Sequence, residues 1–260
     1  MGPLVAVGGL LVPGESLRDL EQGLGALCQG YGFPPGQEFK WSPGPKLWMR
    51  DQLVAERRTA FFIEALELAA TNRAQALVVV EDTNYALAIR ESGDHEMDVV
   101  AMFLERSNNA LSNRRRHGVV VVDRPGGDRP EETRYLIRCL ESLQAGTRFV
   151  QHDHIAMNVL TTASELVRML QLADIVASCS VAYVSGENRF SPAVFNHIRP
   201  LLARGYLGTC GGSGFKIHPD LKYVNLYHWL LGDDVYWKRG LGHGLPLKQF
   251  PYPASAESWR

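Results

Sequence analysis

Two acidic residues stand at positions that could support chemistry. Asp123 directly follows four valines, residues 119–122, which predict a strand buried on both faces. Asp174 lies inside an apolar run, residues 166–184, that contains no proline or glycine and predicts a buried helix. A buried carboxylate without a partner costs several kcal/mol. Asp174 should therefore meet a cation, a hydrogen-bond donor or a proton.

The helix predicted over residues 166–184 carries one narrow polar face. Gln171, Asp174 and Ser178 are spaced three and four positions apart, so they lie above one another on a helix. A polar group must pack opposite this face. The pattern fits a structural hydrogen-bond network or a salt bridge as well as it fits a functional site, and both interpretations stay open at this point.

The elements that would position these acids alternate along the chain. Strand and helix patterns succeed one another between residues 76 and 185, which predicts an α/β sheet with a parallel portion and right-handed crossovers. The predicted strands are residues 4–12, 76–80, 119–122 and 148–150. The predicted helices are residues 17–27, 47–71, 97–114, 130–143, 166–184 and 192–203.

Ligands of α/β sheets bind at the carboxyl ends of the strands. Asp123 stands at one such end, and Glu81 and Asp82 stand at the end of the strand over residues 76–80. If Asp174 packs beside them, the carboxylates repel unless a cation lies between them. Oxygen ligands select Mg²⁺ or Mn²⁺, and such a site suits phosphoryl transfer. The ordinary alternatives are a turn residue for Asp123 and a solvated loop for the other two acids.

Composition limits the classes of function. The 260 residues carry a formal net charge of −1 and are 45% hydrophobic, as in ordinary globular proteins, so nucleic-acid contacts would need local basic patches. Four dispersed cysteines without a Cys-x-x-Cys pair exclude a zinc ribbon and suit a reducing cytoplasm. No stretch reaches the ~18 uninterrupted apolar residues of a spanning helix, so we expect no membrane insertion.

Three motifs resemble those of one family in order and spacing. They are Glu38-Phe39-Lys40-Trp41-Ser42, residues 119–123, and Leu-Gln-Leu-Ala-Asp-Ile-Val-Ala over residues 170–177. The glycine pair within residues 8–13 is similar to the second strand of that family. Together they resemble the domain of unknown function 3800 family over residues 4 to about 200. The resemblance implies an α/β, ribonuclease-H-like mixed sheet flanked by helices over residues 1–204. An irregular Gly/Pro/aromatic-rich C-terminal extension, residues 205–260, is expected to pack on it.

The same resemblance implies a site. Glu38, Asp123 and Asp174 would be the catalytic residues and the ligands of Mg²⁺ or Mn²⁺, in a two-metal site if complete, of a nuclease-type hydrolase acting on nucleic acid. Lys40, Arg124 and Gln171 are the expected substrate-binding residues. The ordinary alternative for Glu38 is an ion pair with Lys40 or a distant arginine.

One departure from the family pattern affects this expectation. The family opens with a strand that carries Asp-Glu-Ser-Gly, and no such motif occurs here, so a site of four acids is reduced to three. We expect either a start roughly 10–20 residues upstream or a degenerate copy. The alternative function is therefore a catalytically inactive module of the same fold that binds nucleic acid or protein. The sequence leaves the oligomeric state open.

Overall fold

A mixed three-stranded sheet carries helices on both of its faces. The computed structural model describes residues 4–83, 92–126, 128–219, 230–238 and 241–244. The strands are β1 (Leu4–Leu11), β2 (Gln75–Asp82), β3 (Val121–Asp123), β4 (Leu160–Thr162), β5 (Phe215–His218), β6 (Val235–Lys238) and β7 (Leu241–Gly244). The α-helices are α1 (Leu17–Tyr31), α2 (Met49–Gln52), α3 (Ala55–Thr71), α4 (Ser92–Asn113), α5 (Arg129–Ala145), α6 (Arg168–Val184) and α7 (Ser191–Ile198).

Strand β2 is the middle strand of the central sheet. It is antiparallel to β1, with Leu4 opposite Asp82, and parallel to β5, with Phe215 opposite Val78. Strands β3 and β4 form a separate parallel pair, and β6 and β7 form an antiparallel pair. The predicted mixed α/β class is confirmed.

Three predictions about strands are wrong. In the described part of the chain, β3 pairs with β4 and does not join the sheet of β2. Val119 and Val121 are 51% and 45% exposed, so the valine run is not buried on both faces. Residues 148–150 form no strand, and the strand that follows β3 in the chain is β4, Leu160–Thr162. Strand β3 is short, and its parallel neighbour β4 covers only part of its surface. A run of valines therefore does not by itself imply burial on both faces.

The first part of the expected C-terminal extension contributes to the central sheet. Strand β5 lies beside β2, and Phe215 is fully buried in the main core. Residues 220–229 and 245–260, which hold most of the aromatic residues of this region, lie outside the described residues. The division at residues 204 and 205 stays a prediction.

The helix predicted over residues 166–184 is confirmed as α6, and about half of its side chains are buried. The helix predicted over residues 47–71 is interrupted between α2 and α3. There Arg58 donates to the carbonyl of Leu53 at 2.6 Å and to that of Arg50 at 2.9 Å. These bonds satisfy carbonyls that a helix end leaves open. In the described part of the chain, no helix is long and apolar enough to span a membrane.

Two consecutive glycines in β1 let helices approach both faces of the sheet. A Cβ on Gly8 would lie 2.8 Å from the Cβ of Ala177 in α6, and a Cβ on Gly9 would lie 2.9 Å from the ring of Phe103 in α4. Successive strand residues point to opposite faces. Helices α6 and α4 therefore cover opposite faces of the sheet.

Gly8→Ala is expected to lower the free energy of unfolding by about 1–3 kcal/mol. The added methyl group meets Ala177 Cβ at 2.8 Å and Ala177 Cα at 3.0 Å, and neither atom can rotate away. Urea denaturation of both proteins measures the effect. The control is Gly25→Ala in α1, where a Cβ meets nothing within 4 Å and helix propensity favours alanine by about 0.5–1 kcal/mol. Equal stability of Gly8→Ala and the wild type would contradict the close approach.

Glu187 caps the start of α7 and should make stability depend on pH. Burial raises the pKa of Glu187, but the N–H groups of Ser191 and Arg189 bind its carboxylate at 2.7 and 2.8 Å and outweigh burial. The net pKa lies below the usual value of 4.5. The ionised carboxylate of Glu187 thus stabilises the folded state fully above pH 4.5. This stabilisation is lost as the pH falls through the lowered pKa.

Glu187→Gln is therefore expected to cost about 1 kcal/mol of unfolding free energy at pH 7. The difference from the wild type should disappear at a pH below the lowered pKa, where both side chains are neutral. Denaturation curves at several pH values measure it. A difference that persists unchanged in acid would contradict the role of the ionised carboxylate.

Candidate functional site

The polar face of α6 binds an extended segment, residues 38–41. Gln171 Oε1 accepts a hydrogen bond from Phe39 N at 3.1 Å, and Asp174 Oδ2 accepts one from Trp41 N at 3.2 Å. Backbone N–H groups two residues apart point to the same side of an extended chain. The polar partner expected opposite Gln171 and Asp174 is therefore a strip of backbone donors.

Aromatic packing holds this segment in place. Phe39 is fully buried and packs edge-on against Phe61 at 5.1 Å between ring centroids, and Trp41 stacks on Phe62 at 5.5 Å. The alternation of an extended chain sends the residues between them the other way. Glu38 and Lys40 accordingly form an ion pair of 3.2 Å, which is the contact named as the ordinary alternative for Glu38.

Gln171 connects the extended segment to the start of α6. Its side chain is 1% exposed. The Oε1 atom also accepts from Arg168 Nη1 at 2.8 Å, and Nε2 donates to the carbonyl of Ser164 at 2.8 Å. Every polar atom of this amide therefore has a partner, as burial requires.

Asp123 reaches the same region through Ser164. Asp123 lies opposite Thr162 in the parallel pair β3–β4, and its Oδ1 accepts from Ser164 N at 3.0 Å. Ser164 thus joins Asp123 on one side to Gln171 on the other. We call the set formed by Asp123, Ser164, Gln171, Asp174 and residues 38–41 the α6 network.

A positive charge that the sequence analysis did not single out enters the α6 network. Arg168 begins α6, and its Nη1 donates to the carbonyl of Gln37 at 2.7 Å as well as to Gln171. The available signal was its spacing, one turn before Gln171. Glu21 of α1 accepts from the backbone N of Arg168 and of Met169 at 2.7 and 3.0 Å. The sequence holds no signal for that cap because the partners are 147 positions apart.

The predicted substrate-binding residues differ in their surroundings. Gln171 is inside the α6 network, and Lys40 is partly exposed beside it. Arg124 is turned toward α5, where it pairs with Glu132 at 3.3 Å, and its backbone N donates to Thr162 O at 2.8 Å.

Hydrogen bonds thus join Gln171 and Asp174 to residues 38–41 directly and join Asp123 to them through Ser164. The assignment of metal, catalytic and substrate roles to these residues stays a prediction.

The carboxylates of Asp123 and Asp174 keep lone pairs beyond those that accept hydrogen bonds. Asp174 accepts through Oδ2 from Trp41 N and through Oδ1 from Ser178 Oγ at 3.0 Å, and Asp123 uses Oδ1 for Ser164. An ionised carboxylate offers about four lone-pair sites. Each acid therefore keeps lone pairs beyond those that its hydrogen bonds use.

Glu81 does not point toward this network. The register places it opposite Val5 on β1, on the same face as Gly9, which packs against α4. Its Oε2 lies 3.5 Å from Nδ1 of His95 in α4. The expected convergence of Glu81 with Asp123 and Asp174 is wrong because α4 and α6 lie on opposite faces and β3 is outside the central sheet. The sequence analysis also missed His95.

No protein-family model matches this chain, and comparisons with curated proteins and with solved structures give no match either.

Proposed function

We propose that the chain is a Mg²⁺- or Mn²⁺-dependent hydrolase of phosphodiester bonds in nucleic acid, with a ribonuclease-H-like fold. The observation that supports the proposal is the α6 network. It links the three segments whose motifs carry Glu38, Asp123 and Asp174, although 85 positions separate the first two (123 − 38). If their side chains turn toward one another, these three acids would supply the oxygen donors that a hard cation requires.

The donor chemistry fits the proposed ion. Carboxylate oxygens bind Mg²⁺ and Mn²⁺, and Asp123 and Asp174 each keep lone pairs beyond their hydrogen bonds. Glu38 is held on a segment that two backbone hydrogen bonds and the ring contacts of Phe39 and Trp41 fix. Glu38, Asp123 and Asp174 would hold the ion. When bound, the ion would supply an activated water and neutralise charge on the leaving oxygen.

The chain's own side chains would bind and orient the substrate. Lys40 is partly exposed next to Glu38 and can exchange that ion pair for a phosphate oxygen. Arg168 brings a fixed positive charge to the start of α6, which limits the repulsion among the acids. Gln171 keeps the extended segment aligned with the helix. The reducing cytoplasm remains the proposed compartment, which the free thiols of all four cysteines suit.

Asp123→Asn tests the proposed function. Wild-type protein should cleave single- or double-stranded DNA or RNA in Mn²⁺ and should stop when a chelator removes the ion. Asp123→Asn should lower the single-turnover rate at least about 100-fold, because a metal ligand loses its charge. The matched control is Glu165→Gln, an exposed acid next to Ser164, which should cleave like the wild type. Metal-independent cleavage, or equal rates for both variants, would contradict the proposal.

A second function is favoured by one specific observation. Asp174 already accepts through both oxygens, and Glu38 already pairs with Lys40. Such a set of bonds also suits a catalytically inactive module that binds nucleic acid or protein. That module would bind nucleic acid with an affinity that falls with salt concentration, while no substrate is cleaved in any metal. Binding that does not change with salt would point to a protein partner.

A further inference from the structure

Three metal-ligand side chains from two elements meet on the face of the sheet that α4 covers. Glu81 is near the end of β2, and His95 and Asp98 stand one turn apart on α4, so they share a face of that helix. One imidazole or carboxylate atom from each residue lies within 4.8 Å of the other two. We call these three residues the α4 cluster.

The burial of His95 indicates that a partner is missing. Glu81 and His95 are 4% and 8% exposed, and Asp98 is half-buried. Nδ1 of His95 makes no hydrogen bond to any group among the residues that the structure describes. A buried polar nitrogen loses its hydration, so leaving it without a hydrogen bond is costly and uncommon in folded proteins. A ligand bound at this nitrogen would remove that cost.

The distance between His95 and Glu81 fits two ligands of one metal ion better than it fits a direct ion pair between the two side chains. His95 Nδ1 and Glu81 Oε2 are 3.5 Å apart without the alignment of a hydrogen bond. Two ligands bound to one ion at about 2.0–2.2 Å are roughly 3–3.5 Å apart in tetrahedral or octahedral geometry.

We propose that the α4 cluster binds one divalent transition-metal ion of the Zn²⁺ or Mn²⁺ class through an imidazole nitrogen and two carboxylates. The imidazole selects against Mg²⁺ and Ca²⁺, which prefer oxygen ligands only. Two carboxylates balance the charge of the ion. Three protein ligands leave a coordination position for water or a substrate group, as in catalytic rather than structural zinc sites.

This site is separate from the α6 network and does not rest on the proposed function. Gly8 touches α6 and Gly9 touches α4, so the two helices lie on opposite faces of the same sheet. Glu81 belongs to the α4 face. Metal binding by the α4 cluster can therefore be measured in protein whose α6 network has been disabled.

Calorimetric titration tests the site in tag-free, full-length protein dialysed against a chelator. The starting protein is the double variant Asp123→Asn/Asp174→Asn, and the probes are Zn²⁺, Mn²⁺ and Mg²⁺. One Zn²⁺ or Mn²⁺ should bind per chain, at least tenfold more tightly than Mg²⁺. Adding His95→Leu should weaken binding of the transition ion at least tenfold. Asp98→Asn provides a second test that keeps the size of the side chain if His95→Leu does not fold.

Two matched controls separate this site from adventitious binding. His197 and Glu67 form an exposed pair at 3.8 Å, so His197→Leu removes a comparable imidazole elsewhere. Glu96→Gln removes an exposed acid from α4 near Asp98. Both controls should bind Zn²⁺ like the starting protein. Unchanged binding in Asp98→Asn and His95→Leu, or an equal loss in His197→Leu, would overturn the proposal, and so would the absence of any bound transition ion.

Discussion

Gln171→Leu is expected to lower the free energy of unfolding by about 4 kcal/mol. The side chain is 1% exposed and has hydrogen bonds to Phe39 N, Ser164 O and Arg168 Nη1. Leucine has a similar volume but leaves these groups without their partner, and each unsatisfied buried group costs about 1–3 kcal/mol. Urea denaturation followed by circular dichroism measures the change.

A matched control separates this effect from the general cost of replacing a glutamine. Gln29 lies on the exposed side of α1, and Gln29→Leu should change stability by less than about 0.5 kcal/mol. A loss of less than about 1 kcal/mol for Gln171→Leu would mean that the hydrogen bonds around Gln171 do not organise the α6 network.

Asp174→Asn is expected to separate metal binding from folding. The asparagine oxygen can accept from Trp41 N, and its amide can donate to Ser178 Oγ, because a hydroxyl both donates and accepts. The variant should therefore be about as stable as the wild type without metal. Mg²⁺ or Mn²⁺ should raise the Tm of the wild type by linkage and should no longer do so to the same extent in the variant.

The same variant should lose cleavage at least about 100-fold, because the ion loses a charged ligand. Glu165→Gln again serves as the control for loss of one negative charge. The His95→Leu background removes any contribution of the α4 cluster to the Mn²⁺ response. An unchanged metal-dependent rise in Tm for Asp174→Asn in that background would exclude Asp174 as a ligand. A large loss of stability without metal would instead favour a purely structural role.

Local patterns in the sequence predicted the helix that carries the site. The apolar run of α6 has no interruption, and the spacing of Gln171, Asp174 and Ser178 fixes their common face whatever the rest of the chain does. The ion pair of Glu38 with Lys40 is equally local, since the two residues are neighbours on one side of an extended segment. Such features depend on the period of the backbone and need no tertiary information.

The partners of that face could not be predicted in the same way. The donors for Gln171 and Asp174 are backbone N–H groups more than 130 positions away. Residue types do not show which backbone groups donate hydrogen bonds. The valine run before Asp123 looked buried, but burial depends on the strands that flank it. The spacing of His95 and Asp98 places both on one side of a helix. They lie near Glu81 only because β2 turns the Glu81 side chain toward α4, and residue spacing does not predict this orientation.

A crystal grown with Mn²⁺ and measured for anomalous scattering tests the central claim most directly. We expect an anomalous peak at the α6 network, about 2.0–2.2 Å from carboxylate oxygens of Asp123 and Asp174, with Glu38 in the same coordination sphere or joined to it through water. A peak at the α4 cluster would be a separate, additional result. Fully occupied Mn²⁺ at the α4 cluster alone, or carboxylates of Asp123 and Asp174 too far apart to share an ion, would contradict the claim.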